Sequence, residues 1–519
     1  MKELLLLTAL LTLKFSFSQC DTNYIVGDYN VNSDEIMSGV YYVDGDFIVS
    51  TASTVYLESF EFGACGSLVI FANNIEIYGA INGDFAGYEG GEGGLKGTVI
   101  SSITGHLNSL TDCQNKDDAG RVEVEGGFAG EDGHGNGGGL AGENGEQGAG
   151  PKQQCMSGDE AGMIAGAAGA GGGSGGSYGG LGSAGQNGGS GSEDYTVSEV
   201  SISGAYAVQK GDGGLGGLTS AIYGTATGND IDLGSGGAGA GGGGRSFDTG
   251  LDGGKGGAGG GMIKLVAYED LVMSGSISAN GEVGENGGSA GSGGVSPKCC
   301  SDLCDDCGEA TVSAGAGAGS GAGGGSGGGI YIEVGDEIEV TGDLSVTGGD
   351  GGLGGTEGYG TGCNYDAGFG CGNDQAITSG DGEAGSAGGA GGGGRIKIFY
   401  SDCSVSIVTP VTNVEGGQSI AQGEDGTVEL NCDYASLDDQ KTLAIELYPN
   451  PAQNIIQISL DQIDISTAIS IFNLQGEQVY SETGAQLTNT INVSDFSSGM
   501  YVVKVVSESA ISTINFIKQ

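Results

Sequence analysis

The heptapeptide GDGGLGG occurs twice in this chain, at residues 211–217 and 349–355, inside a long stretch dominated by glycine. Glycine lacks a Cβ, so it permits backbone conformations and close backbone contacts that other residues exclude. The chain has 116 glycines and only 5 prolines, without a strict glycine at every third position, which excludes a collagen triple helix. Short β-branched and aromatic runs interrupt the glycine, and this mixture favours an ordered all-β fold with many turns.

A longer repeated unit surrounds these glycines. Residues 259–288 and 327–355 each contain a glycine run, three short apolar runs separated by bends, and glycine again; residues 66–94 share this plan and 391–408 begin another copy. Glycine-acidic segments begin near residues 211, 281 and 349, which are 70 and 68 positions apart. Such a period predicts stacked structural units. We expect a parallel β-helix or solenoid, with glycine at positive φ and in close contacts at the corners.

The glycine tracts between the apolar runs are longer than corners require. Residues 314–329 read AGAGAGSGAGGGSGGG, which resembles silk. Three alternatives remain open for such tracts: close-packed extended chains, polyglycine-type helices, or mobile loops.

The first residues are typical of a secretory signal peptide. An apolar run, LLLLTALLTL at 4–13, follows Met1 and Lys2, and small residues Ser16 and Ser18 precede a cleavage site before Gln19. This run is too short to span a membrane as a helix. The residues before Cys20 do not form a lipobox, so no lipid anchor is expected, and no other segment approaches a membrane span.

The net charge of −50, from 66 acidic and 16 basic residues, repels phosphate backbones and argues against nucleic acid as a partner. The same charge attracts cations, and calcium is the one expected outside a cell. Asp212 and Asp350, in the two identical heptapeptides, are the calcium candidates, because calcium takes several oxygen ligands. The alternative is that each is a turn-forming aspartate beside glycine.

The composition divides the chain into four parts. We predict a signal peptide at 1–18, a β-rich region at 19–83, a glycine-rich repeat solenoid at 84–440, and a separate domain at 441–519, where glycine thins and leucine, isoleucine and asparagine rise. The solenoid resembles the glycine-rich β-solenoid regions of large bacterial surface proteins. That resemblance lies in the glycine-rich, repetitive composition and not in a specific motif, and it implies no particular activity.

The last segment carries four motifs in order: LYPNPAQNIIQI, ISIFNLQGEQVY, INVSDFSSGMYVVKV and INFIKQ. Together they resemble the type A C-terminal sorting domain of the type IX (Por) secretion system of Gram-negative bacteria. The matching residues are Tyr448, Pro449, Asn450, Pro451, Gly476, Ile491, Phe496, Gly499, Tyr501, Val503 and Lys518. The prolines suit a strand entrance and the glycines suit tight turns, and short strands over this length suit a small Ig-like sandwich.

The resemblance implies export. Domains of this family carry a passenger across the outer membrane through the type IX machinery, and the passenger is then released or fixed to surface lipopolysaccharide. The expected localisation is therefore the cell surface or the extracellular space.

The chain has 12 cysteines, which in an exported protein indicate disulfides rather than zinc ligands. We expect Cys113 to pair with Cys155, Cys363 with Cys371, and Cys403 with Cys432. The dense run CCSDLCDDC permits three pairings among its own four residues, Cys299, Cys300, Cys304 and Cys307.

No catalytic constellation is visible, although parallel β-helices include polysaccharide lyases that use a basic residue beside carboxylates and calcium. The basic candidates are Arg245, Lys264, Arg395 and Lys397. Strand alternation in RIKIF predicts that Arg395 and Lys397 lie on an exposed face. His106 and His134 stand apart in polar segments and are predicted to be surface residues.

The leading function is therefore structural or adhesive: a disulfide-stapled acidic filament at the cell surface or in secreted matrix, in contact with surface polysaccharide. Two alternatives stay open: a β-helical polysaccharide-active enzyme, lyase or hydrolase, and a calcium-dependent carbohydrate-binding protein.

Overall fold

The computed structural model describes residues 21–60, 65–98, 121–151, 154–156, 159–197, 200–203, 209–294, 310–365, 375–401, 407–432, 445–460, 467–473, 478–483, 486–494, 496–497, 499–506 and 511–519. These residues contain β-strands and no helix. They fall into two compact units, 21–399 with 407–432, and 400–401 with 445–519.

The first unit contains 28 of the strands that the described residues form. The first nine are β1 (Thr22–Ile25), β2 (Tyr29–Val31), β3 (Glu35–Met37), β4 (Gly39–Val43), β5 (Phe47–Val49), β6 (Thr54–Leu57), β7 (Ser67–Ala72), β8 (Ile75–Ile77) and β9 (Ala80–Asn82). The next nine are β10 (Arg121–Val124), β11 (Gly148–Pro151), β12 (Gln154–Met156), β13 (Asp159–Ile164), β14 (Asp194–Val197), β15 (Val200–Ser203), β16 (Met262–Ala267), β17 (Leu271–Met273) and β18 (Ser276–Ser278). The last ten are β19 (Ala310–Ser313), β20 (Gly329–Val334), β21 (Ile338–Val340), β22 (Asp343–Ser345), β23 (Gly362–Tyr365), β24 (Gln375–Ser379), β25 (Arg395–Tyr400), β26 (Ile407–Val408), β27 (Val411–Asn413) and β28 (Thr427–Asn431).

Three long sheets are built from coils that each give one strand to each sheet. The seven-stranded sheet has the order β1-β4-β7-β16-β20-β25-β28, and the six-stranded sheets have the orders β2-β5-β8-β17-β21-β26 and β27-β22-β18-β9-β6-β3. Neighbouring strands are parallel and in register, as in Leu68↔Ile263↔Ile330. The stacked parallel coils agree with the predicted solenoid-like all-β passenger, and β1–β9 lie in the same sheets as the later coils.

The solenoid core forms because every second side chain of these strands points inward. Leu68, Ile70, Ile263, Leu265 and Ile330 are fully buried, and equivalent positions stack from coil to coil. Burying each such side chain contributes about 1.5–3 kcal/mol.

The corner between the first and second strands of each coil is held by a ladder of side chains. The Asp46 N–H donates to Asp28 Oδ1 at 3.1 Å, and Asn74 Nδ2 donates to Asp46 Oδ1 at 2.8 Å. The ladder continues when the Asp270 N–H donates to Asn74 Oδ1 at 3.1 Å. The sequence pattern alone does not reveal this role of the corner acids and amides.

At the corner between the second and third strands of each of these coils, glycine is needed because neighbouring backbones lie in close contact, not because φ is positive. A Cβ on Gly275 would lie 1.9 Å from the Gly79 carbonyl oxygen, and one on Gly342 would lie 1.9 Å from that of Gly275. Positive φ occurs elsewhere among the described glycines, as at Gly224 and Gly228.

The glycine tracts leave the third strand of one coil and return at the first strand of the next. They form an ordered bundle with a three-residue hydrogen-bond period. Every third N–H from Gly315 to Gly327 donates to every third carbonyl from Gly380 to Gly392, and those from Ala316 to Gly328 donate to carbonyls from Gly291 back to Ala279. The remaining third donate to other neighbours. A β-strand repeats every two residues, so this pattern indicates polyglycine-type helices with three residues per turn.

The bundle interior has no room for side chains at its glycines. A Cβ on Gly321 would lie 2.0 Å from the Gly352 carbonyl oxygen, and one on Gly324 would lie 2.1 Å from that of Gly349. Glycine is therefore required wherever three-residue helices lie side by side at this spacing.

The two identical heptapeptides are matching edge segments of the bundle. In each, the glycines at the first, fourth and seventh positions are buried, while the aspartate and the leucine are exposed. The repetition therefore reflects one solution for a bundle edge: glycine faces inward at every third residue, and a polar or apolar side chain faces outward.

Three smaller sheets lie where the glycine segments end away from the solenoid sheets. Their strand orders are β10-β11, β12-β13-β19 and β15-β14-β24-β23.

The second unit consists of two antiparallel sheets. The first has the order β29-β30-β33, from β29 (Ile445–Tyr448), β30 (Ile455–Leu460) and β33 (Thr488–Asn492). The second has the order β32-β31-β34-β35, from β31 (Ala468–Asn473), β32 (Gln478–Thr483), β34 (Gly499–Val506) and β35 (Ile511–Lys518). One core joins the sheets through side chains such as Ile456, Ile471 and Phe516. The Ig-like topology stays a prediction.

Candidate functional site

The outer face of the seven-stranded sheet carries most of the basic residues that the sequence singled out. Arg395 and Lys397 on β25 share a face, as the alternation predicts, but they are only 3% and 0% exposed. The prediction that this face is exposed is therefore wrong. The physical reason is a segment of the same chain, residues 221–233, which lies across the face; we call it the strap.

The strap surrounds both cations with oxygen atoms. Lys397 Nζ donates to the carbonyls of Gly228 at 3.0 Å and Asp230 at 2.6 Å, and to Asp230 Oδ1 at 3.0 Å. Arg395 donates to the Tyr223 carbonyl at 3.0 Å and lies over the Tyr178 ring, 5.3 Å from its centroid. These contacts hold the strap down and leave neither cation free for a substrate.

The electrostatics of the strap match this geometry. Burial alone would raise the pKa of the Asp230 carboxyl, but hydrogen bonds from Thr225 and Lys397 hold that pKa well below its usual range. Burial raises the pKa of the Tyr178 and Tyr223 hydroxyls, so both stay neutral in the physiological range. The strap is therefore closed by an ionised carboxylate on a buried ammonium.

Lys264 is the basic candidate that remains half-buried on the same sheet. Its ammonium lies 4.3 Å from the centroid of the Tyr331 ring, and the Tyr331 hydroxyl donates to Glu333 Oε2 at 2.9 Å. Burial lowers the pKa of Lys264. A lysine of lowered pKa is suited to general-base chemistry, but Tyr331 and Glu333 are buried. Neither partner was predicted, although the alternation in GIYIEV places Tyr331 and Glu333 on the face of Lys264.

An aromatic stack continues this face toward β1. The rings of Tyr24 and Tyr42 stack at 5.2 Å between centroids, and those of Tyr42 and Phe71 at 4.8 Å. Both faces of Tyr42 are thus covered by other rings. The stack stabilises successive coils, and Tyr24, the ring at its end, is 76% exposed.

The calcium candidates lie on two different edges of the bundle. The Asp350 carboxylate accepts the Gln418 N–H at 2.7 Å, and Asp212 lies 4.0 Å from Lys210 Nζ. Within the described part of the chain, no group of three or more His, Cys, Asp or Glu side chains is arranged to hold a metal. Calcium binding by these aspartates stays a prediction. His134 is exposed, as predicted, and Arg245 is half-buried. His106 is outside the described residues.

The bundle gives many acidic side chains a role that the sequence did not reveal. Edge segments have backbone N–H groups without a backbone acceptor, and neighbouring side chains accept from them. Asp252 accepts the Lys96 N–H at 2.9 Å, and Glu285 accepts the Lys255 N–H at 2.8 Å. Part of the negative charge therefore completes the hydrogen bonding of the bundle surface.

Few of the cysteines in the predicted pairs lie among the described residues. Cys65 and Cys432 are each disulfide-bonded. Cys155 lies on β12 and Cys363 on β23. Cys113, Cys299, Cys300, Cys304, Cys307, Cys371 and Cys403 are outside the described residues, so the predicted pairings stay predictions.

The C-terminal motifs converge in the second unit. Asn450 donates through Nδ2 to the Asn515 carbonyl at 3.0 Å and accepts the Ile517 N–H through Oδ1 at 2.9 Å, which ties the first motif to the last strand. Gly499 pairs with Lys518. The Tyr501 ring stacks on Phe516 at 5.4 Å, and its hydroxyl donates to the Ser497 carbonyl at 2.9 Å.

Two details differ from the expected local structure. Tyr448 ends β29, so Pro449 and Pro451 follow a strand and lie before β30; both are preceded by cis peptide bonds. Gly499 is the first residue of β34 rather than part of a turn. Gly476 lies outside the described residues.

Comparison with known proteins identifies this C-terminal segment. Residues 446–519 match the family described as the secretion system C-terminal sorting domain. Ulvan lyase NLR42 of Nonlabens ulvanivorans is 37% identical over 73 residues, which cover 14% of this chain and 14% of that protein. A solved structure of PorZ, a surface component of the type IX secretion system of Porphyromonas gingivalis, is 19% identical and covers 15% of this chain and 11% of that one, with a TM-score of 0.13.

The family match shows that residues 446–519 are a type IX secretion sorting domain, which implies export to the cell surface or the extracellular space. The alignment to the lyase covers a small part of either protein, and the structural likeness is too low to carry an argument. Among the described residues, no helix is long and apolar enough to cross a membrane.

Proposed function

We propose that the passenger is a structural and adhesive protein of the cell surface, in which a solenoid carries a rigid polyglycine-type bundle. The observation that supports this most is the three-residue hydrogen-bond lattice of the bundle, which spans segments far apart in the sequence, such as 315–327 with 380–392. A lattice of backbone hydrogen bonds without space at its glycines resists deformation, and rigidity is what a surface scaffold requires.

The outer positions of the bundle supply the adhesive chemistry. Leu95 is 64% exposed, Leu215 54% and Leu353 67%, each on a rigid edge segment beside carboxylates. We expect these outward leucines to contact an apolar partner, while the surrounding acids keep the surface soluble. The bundle surface thus carries leucine side chains at fixed positions among acidic residues.

The polysaccharide-active alternative has less support. Arg395 and Lys397 are buried under the strap, and the net charge of −50 repels acidic polysaccharides. Neutral polysaccharides remain the glycan class with which this surface is compatible.

The test is attachment of bacteria that display the full chain through a type IX system. We compare the wild type with a variant in which Leu95, Leu215 and Leu353 are serine, at equal surface amounts measured by antibody labelling. We expect attachment to fall at least severalfold in the variant. Equal attachment of the two, or cleavage of a neutral polysaccharide by the purified wild type, would contradict the proposal.

A further inference from the structure

Two neighbouring positions of the bundle lattice are filled only along part of their length, by the two limbs of a segment that doubles back: the N–H groups of Gly423 and Gly426 donate to the carbonyls of Gly417 and Val414 at 3.0 and 2.7 Å. The segment 414–426 packs beside the segments 346–361 and 380–394, near the solenoid sheets. There, the N–H groups of Gly348 and Gly351 donate to the carbonyls of Glu415 and Gln418 at 2.9 and 3.0 Å. The Gly393 N–H donates to the Glu424 carbonyl at 2.9 Å.

Within the described part of the chain, both rows of donors continue beyond segment 414–426 without partners. Gly354 and Glu357 are the next members of the row that begins at Gly348 and Gly351. Ala387 and Ala384 follow Gly393 and Ala390 in the other row, in which the Ala390 N–H donates to Ser183 Oγ at 2.8 Å. Among the described residues, none accepts a hydrogen bond from these four N–H groups. All four residues are at least partly exposed, in contrast to the buried run from Gly388 to Lys397.

These donors border a shelf, which we define as residues 381–387 between Gly354 and Glu357 on one side and Ala184 and Asn187 on the other. The Gly385 N–H donates to the Gly355 carbonyl at 3.0 Å, and the Glu383 N–H donates to the Ser190 carbonyl at 2.9 Å, which fixes both sides. At a rise of about 3.1 Å per residue, the floor is roughly 20 Å long.

We propose that the shelf binds a glycine-rich segment of another protein in the same three-residue helix. The occupant is identified by the molecule itself, because the two limbs of this segment, residues 414–418 and 423–426, fill the neighbouring parts of the two lattice positions with a glycine-containing backbone. Residues larger than glycine do not fit at the inward positions, since a Cβ on Gly423 or Gly417 would lie 2.1 or 2.0 Å from a carbonyl oxygen.

Charge decides which glycine-rich segment is suitable. The residues around the shelf include Glu357, Asp381 and Glu383, and the whole chain carries a net charge of −50. A second copy of this chain would be repelled, as would any acidic partner. The partner is therefore neutral or basic at its outward positions. This inference rests on the proposed adhesive function, because it names a contact surface for adhesion and the chemistry of the partner.

The test uses the purified full chain and a synthetic peptide of four Gly-Lys-Gly triplets. Binding is measured by calorimetry, and protection of the Ala384 and Ala387 amides is measured by hydrogen exchange. We expect binding of the glycine peptide, none of a Val-Lys-Val peptide, and weaker binding of a Gly-Glu-Gly peptide. Absence of binding up to about 10 mM, or equal binding of the valine peptide, would overturn the proposal.

Two variants place the binding on the shelf. Ala384→Trp places an indole ring over the shelf from an exposed residue, and we expect it to lower the affinity at least about tenfold. Leu218→Trp, at a residue that is 73% exposed on another edge, is the control and should bind as the wild type does. Equal binding by the Ala384→Trp variant would overturn the assignment. Loss of peptide binding leaves the attachment measurement unaffected, so this inference and the proposed function fail separately.

Discussion

At the scale of single residues, glycine has two separable uses in this chain. In the bundle it allows neighbouring backbones to lie side by side at contact distance, as at Gly321 beside the Gly352 carbonyl. In the strap it allows positive φ, as at Gly224 and Gly228, whose carbonyls accept from Arg395 and Lys397, respectively. The first use is repeated at many positions because each close backbone contact needs it, whereas the second is confined to a few of the described glycines.

The first use gives a direct mutational prediction. Gly321→Ala places a methyl group 2.0 Å from a carbonyl oxygen in the bundle interior, so neighbouring backbones must separate. We expect a loss of about 3 kcal/mol of stability, seen as a lower transition temperature of the first unit in scanning calorimetry. Leu353→Ala, on the adjacent outer edge, is the control and should change little. An unchanged transition in the Gly321→Ala variant would show that the interior is not packed as described.

At the scale of elements, the strap is a loop whose closure depends on charge. Asp230 accepts from the Thr225 N–H at 2.7 Å and from Lys397 Nζ at 3.0 Å. Because these contacts favour the ionised carboxylate, the pKa of Asp230 lies well below its usual value of about 3.9. The stabilisation is therefore complete above that usual value and is lost as the pH falls through the lower folded-state pKa.

The strap should accordingly loosen only in acid. We expect the protection factor of the Thr225 amide to be constant from pH 7 to about pH 5 and to fall below about pH 4. Asp230→Asn should show low protection at every pH, because the amide cannot pair with Lys397 as a charge. Hydrogen exchange read by NMR provides the measurement. A pH profile shared by the wild type and Asp230→Asn would contradict this assignment of the strap contact.

At the scale of the whole molecule, the sequence predicted the parts that repeat and missed those that depend on distant segments. The shared plan of 259–288 and 327–355 corresponds to β16–β18 and β20–β22, because period and alternation are local properties. Burial of Lys397 was missed because its partner Asp230 is 167 positions away. Alternation shows which residues share a face, but it cannot show what covers that face.

The C-terminal domain was predictable for a different reason. Its motifs contain residues with specific structural roles, such as Asn450, which pairs with the last strand through both side-chain atoms. The glycine tracts carried no comparable signal. Their composition suits polyglycine-type helices, close-packed extended chains or a mobile loop equally. Only the three-residue pattern of hydrogen-bond partners from Gly315 to Gly328 distinguishes the helices from the other two.

The measurement that tests this account most directly is native-state hydrogen exchange across residues 314–329 of the purified full chain. The lattice predicts that the amides of Gly315 to Gly328 exchange at least about 1,000-fold more slowly than in an unstructured glycine peptide, because each is hydrogen-bonded in a buried interior. Exchange at the rate of the unstructured peptide would show that the tract is a mobile loop. The rigid bundle, the shelf and the proposed structural function would then all be contradicted.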